Sequence, residues 1–166
     1  MKNINSIILD TTYVLPLFGI KIELSLKFEE QIKILWKNGI NEYKVFLPSV
    51  CLIETVFKLL NEYRKKNDFN ILDRYQLILP TILNSPIDMF NPELNTKASL
   101  IASIIRHSGH IDFMDCWIAG AAVALEGILL TEDKDLEKVL RTIPETKTVT
   151  VWSWNKLITE TMKKKK

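Results

Sequence analysis

The chemistry-bearing residues of this 166-residue chain are acids, and four of them stand out by position: Asp10, Glu54, Asp115 and Asp133. Carboxylates gathered in one cleft cannot all stay ionised without a cation. An all-oxygen donor set suits a hard divalent ion, so Mg²⁺ or Mn²⁺ is the expected cofactor. His107 and His110 are only three apart, but they have no partner cysteines for a zinc site and read as structural or surface residues.

Asp10 ends the short apolar run Ile4–Asp10 (INSIILD), and Asp133 follows the run Ile128–Thr131 (ILLT). Both runs read as strands buried on two faces. In open parallel sheets, ligands bind beyond the carboxyl ends of the strands, where strand order reverses. Each acid taken alone also reads as a turn or cap residue. Glu54 lies at the edge of an apolar arc formed by Val50, Ile53, Phe57 and Leu60, about 40° from Val50 on a helix of 3.6 residues per turn. A carboxylate there needs a cation or strong donors, unless it bends to water or pairs with Lys58.

Asp115 lies in Phe113–Leu125 (FMDCWIAGAAVAL), which is apolar almost all round and so reads as a central, buried helix. It shares a face with Ile118, Ala119 and Ala122. Asp112 fits the helix cap, which leaves Asp115 one turn inside with no capping role. The segment Thr131-Glu132-Asp133-Lys134-Asp135-Leu136 holds three acids in four positions. They suit a helix N-terminus, and the functional reading needs only one of them aimed at the site.

These positions imply a scaffold. Leu24, Phe28, Ile32 and Leu35 recur with helical spacing over Leu24–Asn38, and Gly39 is the stop. Lys44–Leu47 is a second strand, and Ser49 is expected to cap a helix running to Lys66. Ile71–Leu83 is expected to be a helix broken by Pro80. Ile87–Phe90 is a third strand, and Asn91-Pro92 opens a helix to His107. Gly127 ends the helix that begins near Asp112. Ile128–Thr131 is a fourth strand, Asp133–Arg141 a short helix, Thr148–Trp152 a fifth strand, and a last helix starts at Ser153. Alternation of this kind predicts an α/β fold with a mainly parallel sheet covered on both faces.

Size and composition suit one domain spanning residues 1–166, with Lys163–Lys166 as a disordered basic tail. A net charge of +2 excludes a uniformly basic nucleic-acid binder, so any positive footprint must be local. Cys51 and Cys116 belong to no CxxC pair and read as reduced core thiols, which points to the cytoplasm. No window approaches the roughly 18 apolar residues of a membrane span.

The residues in order resemble the PIN-domain nucleases, in particular the VapC-type toxin ribonucleases. The matching features are Ile7-Ile8-Leu9-Asp10-Thr11-Thr12; Pro48-Ser49 through Glu54; Asp112–Gly120 (DFMDCWIAG) with the alanine-rich stretch to Leu125; and Gly127 followed by ILLTEDKDL, Ile128–Leu136. They span Asp10 to about Trp152. Cys116 stands where the family usually has alanine, and Leu136 where it often has phenylalanine. The resemblance implies a three-layer α/β/α fold with five strands in the order 3-2-1-4-5. It maps Asp10, Glu54, Asp115 and Asp133 onto the family's four acids and Thr131 onto its supporting hydroxyl, with Thr11 as a second hydroxyl. Asp112 and Asp135 compete with Asp133 for the fourth place.

That resemblance implies metal-assisted hydrolysis of RNA, a homodimer, and an inhibitory antitoxin protein as partner. Lys58, Arg106 and Lys134 are the candidate phosphate contacts. The alternatives are an RNA-processing nuclease of the same fold, or a PIN-like module that holds RNA or protein without cutting.

Overall fold

The computed structural model describes residues 5–163, so Ile4 and Lys164–Lys166 of the expected strand and tail lie outside the described residues. Five parallel strands, β1 (Asn5–Leu9), β2 (Tyr43–Pro48), β3 (Asp88–Phe90), β4 (Ile128–Leu130) and β5 (Val151–Trp152), form one sheet in the order β3-β2-β1-β4-β5. The expected α/β/α architecture and strand order are therefore observed. Side chains alternate between the two faces of a strand. Ile7, Ile8 and Leu9 are all fully buried, so helices cover both faces of the centre.

The helices are α1 (Phe28–Asn38), α2 (Val50–Lys66), α3 (Asn70–Leu83), α4 (Thr96–His107), α5 (Phe113–Ala124), α6 (Lys134–Thr142) and α7 (Trp154–Lys163). Lys163, the first lysine of the basic tail, is thus the last residue of α7. Aromatic rings join α1 to α7: Phe28 meets Trp154 edge-on at 5.0 Å between centroids, and Tyr13 stacks on Trp154 at 5.6 Å. Among the described residues, no helix is long and apolar enough to cross a membrane.

Several local expectations are corrected. Ser49 does not cap α2; its backbone is already helical and its hydroxyl donates to Glu93 Oε2 at 2.8 Å. Pro80 does not break α3, because it sits exposed near the helix end, where water can replace the bond it forfeits. Asn91-Pro92 opens only a short 3₁₀ turn, Pro92–Leu94, and α4 starts later, with the Asn95 side chain accepting from the Ala98 amide at 2.9 Å. α1 begins at Phe28 rather than Leu24, and β5 is confined to Val151–Trp152.

Two members of the arc expected to be buried on α2 face outward. Ile53 and Phe57 are about half exposed, whereas Cys51, Thr55 and Leu59 face the core with Val50. Thr55 tolerates burial because its hydroxyl donates to the Cys51 carbonyl at 2.7 Å. Glu54 therefore borders a face that includes a cysteine and a threonine, residues a hydropathy pattern undervalues.

α5 packs against α4 with little between their backbones. A Cβ on Gly120 would lie 2.4 Å from the Ala98 carbonyl oxygen, and that neighbour is backbone. Gly120→Ala is expected to destabilise the fold by about 1–3 kcal/mol or more, as overpacking does. Urea unfolding would show it as a lower midpoint with an unchanged slope.

Candidate active site

Sheet register builds the site. Ile7 pairs with Ile128 and Leu9 with Leu130, so the residues that follow, Asp10 and Thr131, emerge side by side. The Asp10 amide continues the ladder to the Leu130 carbonyl at 3.1 Å. The Thr131 hydroxyl then donates to Asp10 Oδ2 at 2.6 Å, in buried surroundings. On the other side of β1, strand β2 runs directly into α2, which brings Glu54 over the same strand end. There the Thr11 hydroxyl donates to Glu54 Oε2 at 2.5 Å, and Lys58 Nζ lies 3.5 Å from Glu54 Oε1.

α5 and α6 supply the opposite wall. Asp112 caps α5, its Oδ1 accepting from the Met114 amide at 2.8 Å and from the Asp115 amide at 3.4 Å. Asp115, one turn inside, keeps its carboxylate for the cleft. Asp133 caps α6 through Oδ1, which accepts from the amides of Asp135 and Leu136 at 2.8 and 2.9 Å. Its Oδ2 is turned toward His110, 4.0 Å from Nε2. A cleft of about 670 Å³ opens here, lined by His110, Asp112, Asp115, Asp133, Asp135 and Val139 among others.

Electrostatics bind the acids into one group. Burial pushes the Asp10 carboxyl up to about 7, and the charges of Asp115 and Glu54 push the same way, while the Thr131 hydrogen bond opposes them. Burial also raises Asp115 to about 6, with Asp112, Glu54 and Asp133 adding to the rise and His110 opposing it. Asp10 thus feels Asp115 and Glu54, and Asp115 feels Asp112, Glu54 and Asp133. The other two acids have separate structural work. Asp112 is a helix cap, and Asp135 is exposed and pairs with Lys138 at 2.8 Å, which lowers its carboxyl below the usual range.

The protein-family model described as the PIN domain matches residues 7–141. The chain belongs to the PIN-domain family. Solved structures share the fold. A chain of VapBC2 from Rickettsia felis, bound to a DNA fragment from its promoter, superposes with TM-score 0.58 at 15% identity, covering 90% of this chain and 98% of that one. A chain of DNA-bound VapBC from Salmonella typhimurium gives 0.56 at 15% identity, with 91% and 98% covered. A chain of FitAcB from Neisseria gonorrhoeae gives 0.56 at 17% identity, with 88% and 96% covered. No curated protein matches the chain.

Two residues of this PIN domain escaped the sequence reading. His110 is 93% shielded, at 7% exposure, and its Nε2 lies 3.1 Å from Asp115 Oδ2. In sequence it has no partner cysteines for a zinc site, which is the signature of a structural or surface histidine. The usable signal was its position two residues before the Asp112 cap, which turns it toward the start of α5. Glu132 looked like one more acid at a helix start. It instead accepts from the Tyr13 hydroxyl at 2.8 Å and the Trp154 amide at 2.6 Å, tying the strand end to α7.

The basic candidates are also placed. Lys58 pairs with Glu54. Arg106 Nη1 donates to the His110 carbonyl at 3.0 Å, and Lys134 pairs with Glu137 at 3.3 Å.

The donor set fits a hard divalent ion: acid oxygens dominate, and two carboxyls are held above their ordinary range by burial and mutual repulsion. Because those folded-state values are raised, the folded chain keeps protons that the unfolded chain has released. This contribution to stability is fully present below about pH 4 and is lost as pH rises through about 6 and 7. In EDTA at about pH 7.5, Asp10→Asn is therefore expected to stabilise the protein by up to a few kcal/mol, and the gain should vanish near pH 4. Thermal melts across this range check it.

Proposed function

We propose that this PIN domain is a metal-dependent endoribonuclease and the toxin of a toxin–antitoxin pair. The observation that supports the nuclease reading is the grouping of Asp10, Glu54, Asp115 and Asp133 near the ends of β1 and β4, with Asp10 and Asp115 raised by burial and further by neighbouring acids. A domain without catalysis has no need to keep such a cost.

In this reading Asp10, Glu54, Asp115 and Asp133 would hold Mg²⁺ or Mn²⁺, and the ion would supply activation of a water and stabilisation of charge on the phosphorane-like transition state. Thr131 fixes the carboxylate plane of Asp10, and Thr11 fixes that of Glu54, so that neither must reorganise during reaction. The Glu132 bonds to Tyr13 and Trp154 brace the turn that carries Thr131 and Asp133. Lys58, half exposed beside Glu54, offers a positive charge to an incoming phosphate.

The toxin assignment rests on the VapC-type motifs together with the fold shared with the VapBC and FitAcB chains. It brings with it an antitoxin protein as partner, a homodimer, and action in the cytoplasm on cellular RNA.

Purified protein is expected to cut single-stranded RNA in Mg²⁺ or Mn²⁺. Asp10→Asn and Asp115→Asn should each lose more than the roughly 10–100-fold typical of outer-shell partners, while circular dichroism stays unchanged. Thr131→Val should fall within that 10–100-fold range. Cleavage that persists in EDTA, or in both aspartate variants, overturns the nuclease. For the toxin role, expression in bacteria should arrest growth with the native chain and not with Asp10→Asn; equal growth of the two overturns it.

A further inference from the structure

His110 is held in place from several directions. Gly109 takes φ +110°, a conformation open to glycine, and turns the chain after α4. The His110 amide donates to the Ile105 carbonyl at 3.4 Å, and Arg106 grips the His110 carbonyl. The ring is thereby buried with Nε2 facing two carboxylates, 3.1 Å from Asp115 Oδ2 and 4.0 Å from Asp133 Oδ2. His110, Asp115 and Asp133 each offer a donor atom, and the three atoms lie within 4.8 Å of one another.

That spacing suits one ion. Ligands about 2.1 Å from a common ion stand about 3.0 Å apart when adjacent and about 4.2 Å apart when opposite. The two distances from Nε2 fall inside that interval. Both partners also have an oxygen to give. Asp133 caps α6 with Oδ1 alone, and Asp115 makes no capping bond.

We propose that His110 Nε2 is itself a ligand of the cation between Asp115 and Asp133, which makes this side of the cleft a mixed nitrogen–oxygen site. The inference rests on the metal-dependent reading above and adds a donor to it. Its chemical consequence is selectivity. Imidazole is a softer donor than carboxylate, and Mg²⁺ strongly prefers oxygen, so the site should favour Mn²⁺ over Mg²⁺.

A histidine that merely steadied Asp115 by a hydrogen bond would also weaken metal binding when replaced, by about 10–100-fold. Affinity alone therefore does not separate a ligand from a positioning residue, and a direct reading of the metal–nitrogen contact is required. The chain has only two histidines, so a tag-free protein gives an assignable signal. Pulsed electron paramagnetic resonance of bound Mn²⁺ should show nitrogen modulation in the native protein. It should persist in His107→Gln and disappear in His110→Gln. Titration calorimetry should show Mn²⁺ affinity falling by about tenfold or more in His110→Gln, with a smaller loss for Mg²⁺.

Mn²⁺ that binds the native protein without nitrogen modulation overturns the ligand role and leaves the nuclease reading standing. Modulation that survives in His110→Gln does the same. Binding of Mg²⁺ without Mn²⁺ overturns the ligand role alone, and failure of the native protein to bind either ion overturns both. Where His110→Gln does not fold, the native protein and His107→Gln together decide the matter.

Discussion

Everything around the cleft answers one constraint: several carboxylates are held close together and out of water. Burial and mutual repulsion lift Asp10 to about 7 and Asp115 to about 6, which is a cost the fold carries in the absence of a counter-charge. Local hydrogen bonds soften it. Thr131 donates to Asp10, Thr11 to Glu54 and His110 faces Asp115, so three of the four acids have a neighbour whose polarity opposes the repulsion. A divalent cation is the remaining compensation, and it gives the cluster a purpose that stability alone does not.

The scaffold meets this constraint through backbone register rather than through loops. The carboxyl ends of β1 and β4 lie side by side, so a one-residue change in pairing would turn Asp10 and Thr131 away from each other. The central strands are buried on both faces, which makes such a slip costly. α5 adds the third acid, and its closeness to α4 depends on the absence of a side chain at Gly120. A rigid frame of this kind suits a site whose groups must not relax apart.

Helix caps divide the surplus acids by task. Asp112 spends its carboxylate on α5 and Asp135 pairs with Lys138 at the surface. Asp133 divides its oxygens between the α6 amides and the cleft. Glu132, between Thr131 and Asp133, turns to Tyr13 and Trp154 and so anchors the turn to α7. Four acids within a few residues of the cleft thus have four different environments, and only geometry distinguishes them.

Much of this protein was legible from its sequence. Short apolar runs alternating with helical periods specify the parallel sheet, because a strand buried on two faces has no other pattern. Asp10 and Asp115 were visible as acids in apolar surroundings, and Asp112 as the cap. The sequence did not reveal the outward turn of Ile53 and Phe57, since hydropathy ignores the hydrogen bond that lets Thr55 be buried. Nor did it reveal His110 beside Asp115 and Asp133, or the separation of Asp133 from Asp135 and Glu132. The reason is physical: periodicity records which face of an element is apolar, whereas a site is made by side chains that meet across elements. Asp10 and Thr131 are 121 positions apart in the chain and one hydrogen bond apart in space, and only the packed sheet sets that distance.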